Sequence, residues 1–229
     1  MLVKNTIELN GKRESDGTAR SVIKQKPNRT ISVPATDIVL WRPYLMLYNW
    51  GNPAKEKGVA HWLTKIGEAP VVADSVLMLG SARQLGQYYF NRGYFFNEVE
   101  FIIDFKRDST RAAVTYKIYS GPQYYFNDVE YVISSPGIAQ IVADAQAESK
   151  LKTGTPYSTA ELEGERDRLV TMLRNNGYYG FQKSLVRFVS DTSAGDHGVN
   201  ITMIVGDKPG AVGDSVYYIE HIPYTIKNV

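Results

Sequence analysis

At 229 residues the chain suits one or two domains of about 100–200 residues each, and its 26 basic and 24 acidic residues leave a net charge of only +2. A field that weak does not recruit nucleic acid or an anionic surface by bulk electrostatics, so a polyanion is not the expected partner. The absence of cysteine excludes disulfides, thiolate chemistry and cysteine-ligated metals, and no run approaches the ~20 apolar residues of a membrane-spanning helix.

In chain order, Leu2–Leu9 reads as a strand closed by the Asn10-Gly11 turn. Asp16 is placed to cap a short helix through Gln25, stopped by Pro27 and Asn28. The basic run Lys24-Gln25-Lys26-Pro27-Asn28-Arg29 is expected to be a solvated helix end, with a phosphate-contacting patch as the less favoured reading. Asp37 to Ala73 is rich in large apolar groups, while Pro43 and Asn52-Pro53 forbid one long helix, so two short helices or an irregular excursion are expected. Trp41, Tyr44, Tyr48, Trp50 and Trp62 in this insertion either pack on their own module or form a partner-binding patch.

Ser81-Ala82-Arg83-Gln84 fits a capping box, predicting a helix to Arg92 closed by a left-handed Gly93. A strand follows with Val99, Phe101, Ile103 and Phe105 inward and Glu98, Glu100, Asp104 and Lys106 outward. After the polar turn Arg107–Thr110, Arg111–Tyr119 completes an antiparallel hairpin with Val114, Tyr116 and Ile118 inward. The plan then recurs. Val129-Glu130-Tyr131 begins a strand, Ile138–Leu151 a helix, Ser158-Thr159-Ala160-Glu161 a second capping box with its helix to Asn175, and Gly177 closes it. Val186 and Phe188, then Val199, Ile201 and Met203, supply the second hairpin, and Tyr217–Val229 reads as a last strand.

The punctuation Asn91-Arg92-Gly93-Tyr94-Phe95 therefore returns as Asn175-Asn176-Gly177-Tyr178-Tyr179, 84 positions on (177 minus 93). Self-similarity of this kind marks a modular array. The expected organisation is an α+β chain of tandem β-α-α-β-β modules, each a three-stranded mixed sheet with two helices on one face. The first spans 1–121 with the helical, aromatic insertion at about 30–80, the second spans 122–208 beyond a boundary near Gly121-Pro122, and 209–229 is a linker with the first strand of a further module or a barrel connection.

Little points to catalysis. His61, His197 and His221 are far apart, so no metal is expected. No phosphate-binding, nucleophile-elbow or dinucleotide fingerprint occurs, and no cofactor is expected. Glu161, Glu163, Glu165 and Asp167 lack an apolar pocket to raise a pKa and read as a solvated helix face. The chain is not expected to be an enzyme.

The β-α-α-β-β order, with Gly-Tyr between second helix and second strand, resembles the POTRA (polypeptide-transport-associated) domain. The resemblance is to the periplasmic region of TamA-like and BamA-like outer-membrane assembly proteins, particularly a Bacteroides-type TamA-like branch. It rests on Lys24-Gln25-Lys26-Pro27-Asn28-Arg29, Trp62-Leu63 with Gly67-Glu68-Ala69-Pro70, Ser81-Ala82-Arg83-Gln84-Leu85, and Glu165-Arg166 with Asn176-Gly177-Tyr178-Tyr179. It implies a periplasmic arm of a Gram-negative outer-membrane protein, meeting unfolded outer-membrane protein clients and periplasmic or inner-membrane partners. Membrane contact would come only through a barrel that this sequence does not contain. The second strand of each module would be the client-binding edge, here Val99, Glu100, Phe101, Ile102 and Ile103, and Val186, Arg187, Phe188 and Val189. The other reading is a structural or adhesive envelope protein that uses the modules as spacers.

Overall fold

Short polar turns and period-two strands set the first part of the chain. In the computed structural model, which describes residues 1–32, 39–54, 57–106, 110–193, 195–212 and 215–225, β1 (Leu2–Leu9) turns at Asn10-Gly11 into the two-residue β2 (Lys12–Arg13). Both turn residues adopt left-handed φ, at 50° and 78°. Helix α1 (Gly17–Ser21) is capped by Asp16, whose carboxylate accepts from Thr18 N at 2.8 Å. It stops at Ser21, short of the expected Gln25.

The stretch Lys24–Arg29 is not a solvated helix end. Gln25 and Asn28 are buried, and each amide satisfies two backbone groups. Gln25 donates to Val72 O (2.6 Å) and accepts from Asp74 N (3.1 Å), while Asn28 donates to Ala69 O (2.8 Å) and accepts from Val71 N (3.1 Å). Side-chain amides so placed replace a backbone ladder, and they spare those groups the cost of being buried unpaired. Arg29 adds an ion pair with Glu68 and lies 4.3 Å over the Tyr44 ring. The chain excursion is thereby closed at its base.

Within it lie β3 (Ile31–Ser32), β4 (Val39–Trp41), α2 (Pro43–Trp50) and α3 (Val59–Ile66), so the insertion contains two short helices. Pro43 opens α2, where its missing N–H costs nothing. Helix α4 (Ser75–Phe90) begins well before Ser81. Asp74 caps it, accepting from Val76 N at 2.8 Å and Leu77 N at 3.4 Å. Ser81 is buried mid-helix, donating to Leu77 O (2.7 Å) and accepting from Lys24 N (3.1 Å), so the capping-box expectation fails there.

Strands β5 (Glu98–Lys106) and β6 (Arg111–Tyr119) complete a sheet of order β2-β1-β6-β5, with β1 parallel and β5 antiparallel to β6. The sheet has four strands where three were expected, because β2 extends it beyond β1. Val114, Tyr116 and Ile118 are buried on one face of β6, as are Met78, Ala82 and Leu85 of α4. Phe105 departs from the inward pattern and is exposed.

The second copy follows the expected order. It comprises β7 (Tyr125–Ile133), α5 (Pro136–Asp144), α6 (Thr159–Asn175), β8 (Val186–Asp191) and β9 (Gly198–Val205), in sheet order β7-β9-β8. Here β7 is parallel and β8 antiparallel to β9. Alternation along β9 buries Val199, Ile201, Met203 and Val205 in one cluster with Ile138, Val142, Leu162, Leu169 and Leu173 from the two helices. The helix expected over Ile138–Leu151 ends at Asp144, followed by a 3₁₀ turn at Gln146–Glu148. Ser158 precedes α6 without a side-chain cap bond; instead Thr159 N and Oγ1 both donate to Asn91 O at 2.9 Å. The last strand expected over Tyr217–Val229 is β11 (Ser215–Ile219), hairpin partner of β10 (Lys208–Val212); residues 226–229 lie outside the described residues.

The chain divides into two compact units, one of Met1–Tyr88 with Asn97–Ser120, the other of Tyr89–Phe96 with Gly121–Val229. Within the second, the two punctuation glycines make the same contact. Gly93 O accepts from Tyr124 N at 2.9 Å, and Gly177 O accepts from Tyr224 N at 2.8 Å. Their φ values are 86° and 91°, and a Cβ on either would sit 2.9 Å from the carbonyl oxygen of that tyrosine. Gly154 has a similar φ of 79° with open space around it. Left-handed backbone alone costs a side chain roughly 1–2 kcal/mol, so Gly154→Ala should lose about that much in equilibrium denaturation. Gly93→Ala and Gly177→Ala should lose distinctly more, because a backbone oxygen crowds the Cβ position at 2.9 Å; equal losses would contradict this account of the junction.

Candidate functional site

The candidate site is backbone, on strands β5 and β8. Successive residues of a strand point their N–H and C=O to alternate sides, so one anchored bond fixes the direction of all. In β6, Ala112 N donates to Met1 O and Ile118 O accepts from Asn10 N, which turns residues 112, 114, 116 and 118 toward β1. Residues 113, 115, 117 and 119 therefore bond β5, and the register assigns them Asp104, Ile102, Glu100 and Glu98. Val99, Phe101, Ile103 and Phe105 are left with their amides and carbonyls directed to the outer edge. No strand among the described residues pairs there.

The same reasoning resolves β8. Gly206 N donates to Leu185 O and Ser134 N to Val205 O, so Ile204, Thr202 and Asn200 turn to β8 and meet Arg187, Val189 and Asp191. Phe188 and Ser190 face outward with their backbone groups, as does the Val186 carbonyl, while the Val186 N–H is taken by Lys183 O in the preceding 3₁₀ turn. Among the described residues β8 is also an edge.

The sequence-predicted edge residues thus split into two kinds. Val99, Phe101, Ile103, Val186 and Phe188 present outward backbone while their side chains are half-buried or buried. Glu100, Ile102, Arg187 and Val189 present exposed side chains while their backbone groups bond the neighbouring strand. Phe105 and Ser190 join the first kind with exposed side chains, a role that only the bonding phase of the central strands reveals. Arg166 of α6 lies 4.3 Å over the Phe188 ring and is held by Glu163 at 2.7 Å. Lys183 in turn pairs with Asp167 (2.7 Å) and Glu163 (3.2 Å).

The aromatic candidates fall elsewhere in the first unit. Trp41, Trp50 and Trp62 are exposed, and Tyr44 and Tyr48 half-buried, on and beside α2 and α3. His197 stacks edge-on against Tyr124 at 5.3 Å and His221 lies 5.1 Å from the Phe181 ring. Among the described residues no group of three or more His, Asp or Glu could hold a metal ion, and no described helix is long and apolar enough to cross a membrane.

One carboxylate of α6 overturns the solvated-face expectation. Glu165 is fully buried. It accepts from Arg168 twice (2.6 and 3.0 Å), from Lys150 N (2.9 Å) and from the Tyr131 hydroxyl (3.0 Å). Burial pushes its carboxyl up, but the Arg168 guanidinium, the Lys150 amide and the Tyr131 hydroxyl outweigh it and hold the pKa below the ordinary 4.5. Burial, with the Glu165 carboxylate behind it, pushes the Tyr131 phenol to about 12. All acceptor positions of Glu165 are engaged, so the group ties α6 to β7 and to the Lys150 backbone and offers no free base.

No protein-family model matches the chain, and no curated protein matches it. Among solved structures it is similar to POTRA domains 3–5 of Haemophilus influenzae BamA, with 14% identity and a TM-score of 0.44 over 88% of this chain and 64% of that one. It is also similar to Haemophilus ducreyi BamA lacking POTRA domains 1–3 (16%, TM-score 0.39, 62% of this chain and 25% of that one). A third likeness is to the N-terminal domain of Omp85 from Thermosynechococcus elongatus (12%, TM-score 0.31, 90% and 96%). The chain thus spans under two thirds of either BamA structure. Identities and TM-scores this low fix neither family nor activity.

The Glu165 network predicts a pH signature. Since the folded-state pKa lies below the ordinary value, its contribution is complete above about pH 4.5 and is lost as pH falls through the folded value. Glu165→Gln should cost about 3 kcal/mol at neutral pH by removing the buried carboxylate that Arg168 faces, leaving it only the looser ion contact with Glu148 at 4.0 Å, with the difference from wild type shrinking in acid. Urea titrations of both proteins at pH 7 and pH 3 measure this.

Proposed function

We propose that the chain is the soluble periplasmic arm of an outer-membrane protein assembly or translocation factor, built from two POTRA-like modules. It receives unfolded outer-membrane protein segments by strand addition and relays them to a membrane β-barrel. The TamA-like branch of the resemblance belongs to this reading, as do the periplasmic location in a Gram-negative bacterium and docking to periplasmic or inner-membrane assembly partners. The observation that carries it is the pair of open edges, on which outward N–H and C=O groups at Val99, Phe101, Ile103 and Phe105, and at Phe188 and Ser190 with the Val186 carbonyl, can continue the sheet. Strand addition uses main-chain bonds for affinity and so tolerates many client sequences. Barrel strands are alternating segments of about ten residues, close to the nine residues of β5.

Four exposed positions separate this mechanism from a structural role. Proline at Phe105 (63% exposed) or Ser190 removes an outward donor, while proline at Ile102 (41%) or Val189 (52%) removes a donor to the ladder. Ile102→Pro and Val189→Pro should each destabilise by roughly 1–3 kcal/mol. Phe105→Pro with Ser190→Pro should stay folded, losing only the Ser190 hydrogen bond to the Tyr157 hydroxyl, about 1 kcal/mol, yet lose binding of a labelled barrel-strand peptide in fluorescence anisotropy. If that folded double variant bound the peptide as wild type does, the edges would not be the client site.

A further inference from the structure

The helical hairpin of α2 and α3 carries a surface that the edge strands leave unexplained. Its two inner sides are fixed by close approach. A Cβ on Gly51 would lie 2.8 Å from Ala60 O, one on Gly67 would lie 2.4 Å from Tyr48 N, and Glu68 N donates to Tyr44 O at 2.9 Å. Ala60 and Thr64 therefore face α2. At about 100° per residue, Val59, Trp62 and Ile66 share an arc of about 60° turned away from α2. All three are exposed.

Helix α2 adds a second anomaly. Its sequence, Pro-Tyr-Leu-Met-Leu-Tyr-Asn-Trp, is apolar on nearly every side, a composition that normally marks a buried or lipid-facing helix, yet none of its residues is buried. The chain has three tryptophans, and all three lie in this segment, 52%, 63% and 58% exposed at Trp41, Trp50 and Trp62. Tryptophan is ordinarily among the well-buried residues. Its other preferred setting is the headgroup level of a bilayer, where one end of the indole is apolar and the other wet.

Charge selects among occupants. From Trp41 to Gly67 the sequence holds Arg42, Lys55, Lys57 and Lys65 against Glu56 alone, so this segment is distinctly basic in a nearly neutral chain. Lys65 is exposed about 60° from Trp62 around the helix, and Lys57 is exposed just before the start of α3. Each helix has eight residues, about 12 Å at 1.5 Å per residue, too short to span a bilayer but suited to lie in its interface. Arg42 donates to Val3 O at 2.8 Å and, with the Arg29–Glu68 pair, ties the hairpin to the body of its own unit.

We propose that this hairpin docks onto the surface of an anionic phospholipid bilayer, seating Trp50, Trp62 and the Val59–Ile66 arc among the headgroups with Lys57 and Lys65 against lipid phosphates. The inference is independent of strand addition, since none of these residues lies on β5 or β8. Because the three tryptophans are confined to this segment, emission excited at the red edge of indole absorption reports on the hairpin alone.

The test uses the whole chain with vesicles of phosphatidylcholine, with and without phosphatidylglycerol. Expected are a blue shift, quenching by brominated acyl chains and co-sedimentation, all stronger with phosphatidylglycerol. Trp50→Ser with Trp62→Ser should weaken partitioning roughly tenfold or more. Lys57→Gln and Lys65→Gln should each remove about fivefold, and only for the anionic vesicles. The substituted side chains are exposed, so melting curves should match wild type. Unshifted emission with no co-sedimentation would overturn the proposal. So would concentration-dependent self-association that the tryptophan variants abolish in the absence of vesicle binding, because a second copy of the chain would then cover the face.

Discussion

Everything distinctive in this chain descends from one pairing, the parallel alignment of the first strand of each copy with its last, β1 with β6 and β7 with β9. A parallel pair cannot be joined by a tight turn and needs a crossover, which the helices supply on one face. The returning β5–β6 and β8–β9 hairpins place the last strand at the centre, bonded on both sides and carrying the most regular burial. The penultimate strand is then left at the edge. Core and open edge are two consequences of the same topology, which is why the candidate site needs no special residue.

The handover between copies shows a second economy. Gly93 O and Tyr124 N bond as Gly177 O and Tyr224 N do, and in both a carbonyl oxygen lies 2.9 Å from where a Cβ would sit. Tyr124 comes three positions after Gly121, while Tyr224 comes eighteen after Gly206. The hairpin β10–β11 lies in that longer interval. A contact preserved across an insertion of this length is set by local geometry, since the backbone of the tyrosine meets the glycine wherever the intervening chain allows. That accounts for glycine at both punctuation points better than turn propensity alone.

Legibility followed the range of the determining interaction. Strand β6 was readable to the residue, because alternation is local and Tyr116 and Ile118 declare the buried face by themselves. The left-handed Gly93 beyond α4 was readable, although the helix stops at Phe90 and not at the expected Arg92; its start was not, because the cap is Asp74 and Ser81 spends its hydroxyl on Leu77 O and Lys24 N. Glu165 looked like one charge among four on α6. Its burial depends on Tyr131, 34 positions earlier, and on the Lys150 amide, neither of which helical periodicity can signal. Gln25 and Asn28 were hidden in the same way, their partners lying 41 to 49 positions away. The edge strands were readable as strands, while the phase of their outward amides required the bonds of Ala112 and Gly206.

That phase bears on how an open edge can persist without unspecific pairing. Exposed edges invite unspecific pairing, and proteins commonly blunt them with charge. On β5 the outward amides belong to Val99, Phe101, Ile103 and Phe105, whereas Glu98, Glu100, Asp104 and Lys106 carry the charged, exposed side chains. Backbone availability and side-chain charge thus alternate along one strand. A flat apolar surface aligning on β5 meets charge at four of the five alternate positions, Ile102 being the exception, while a single extended segment adding at the edge meets the main chain. On β8 the flank is set differently, by Arg166 lying over Phe188 and braced by Glu163, with Lys183 closing onto Asp167. The two edges thus expose outward backbone groups in different electrostatic settings, charge alternating along β5 itself and held on the neighbouring helix beside β8.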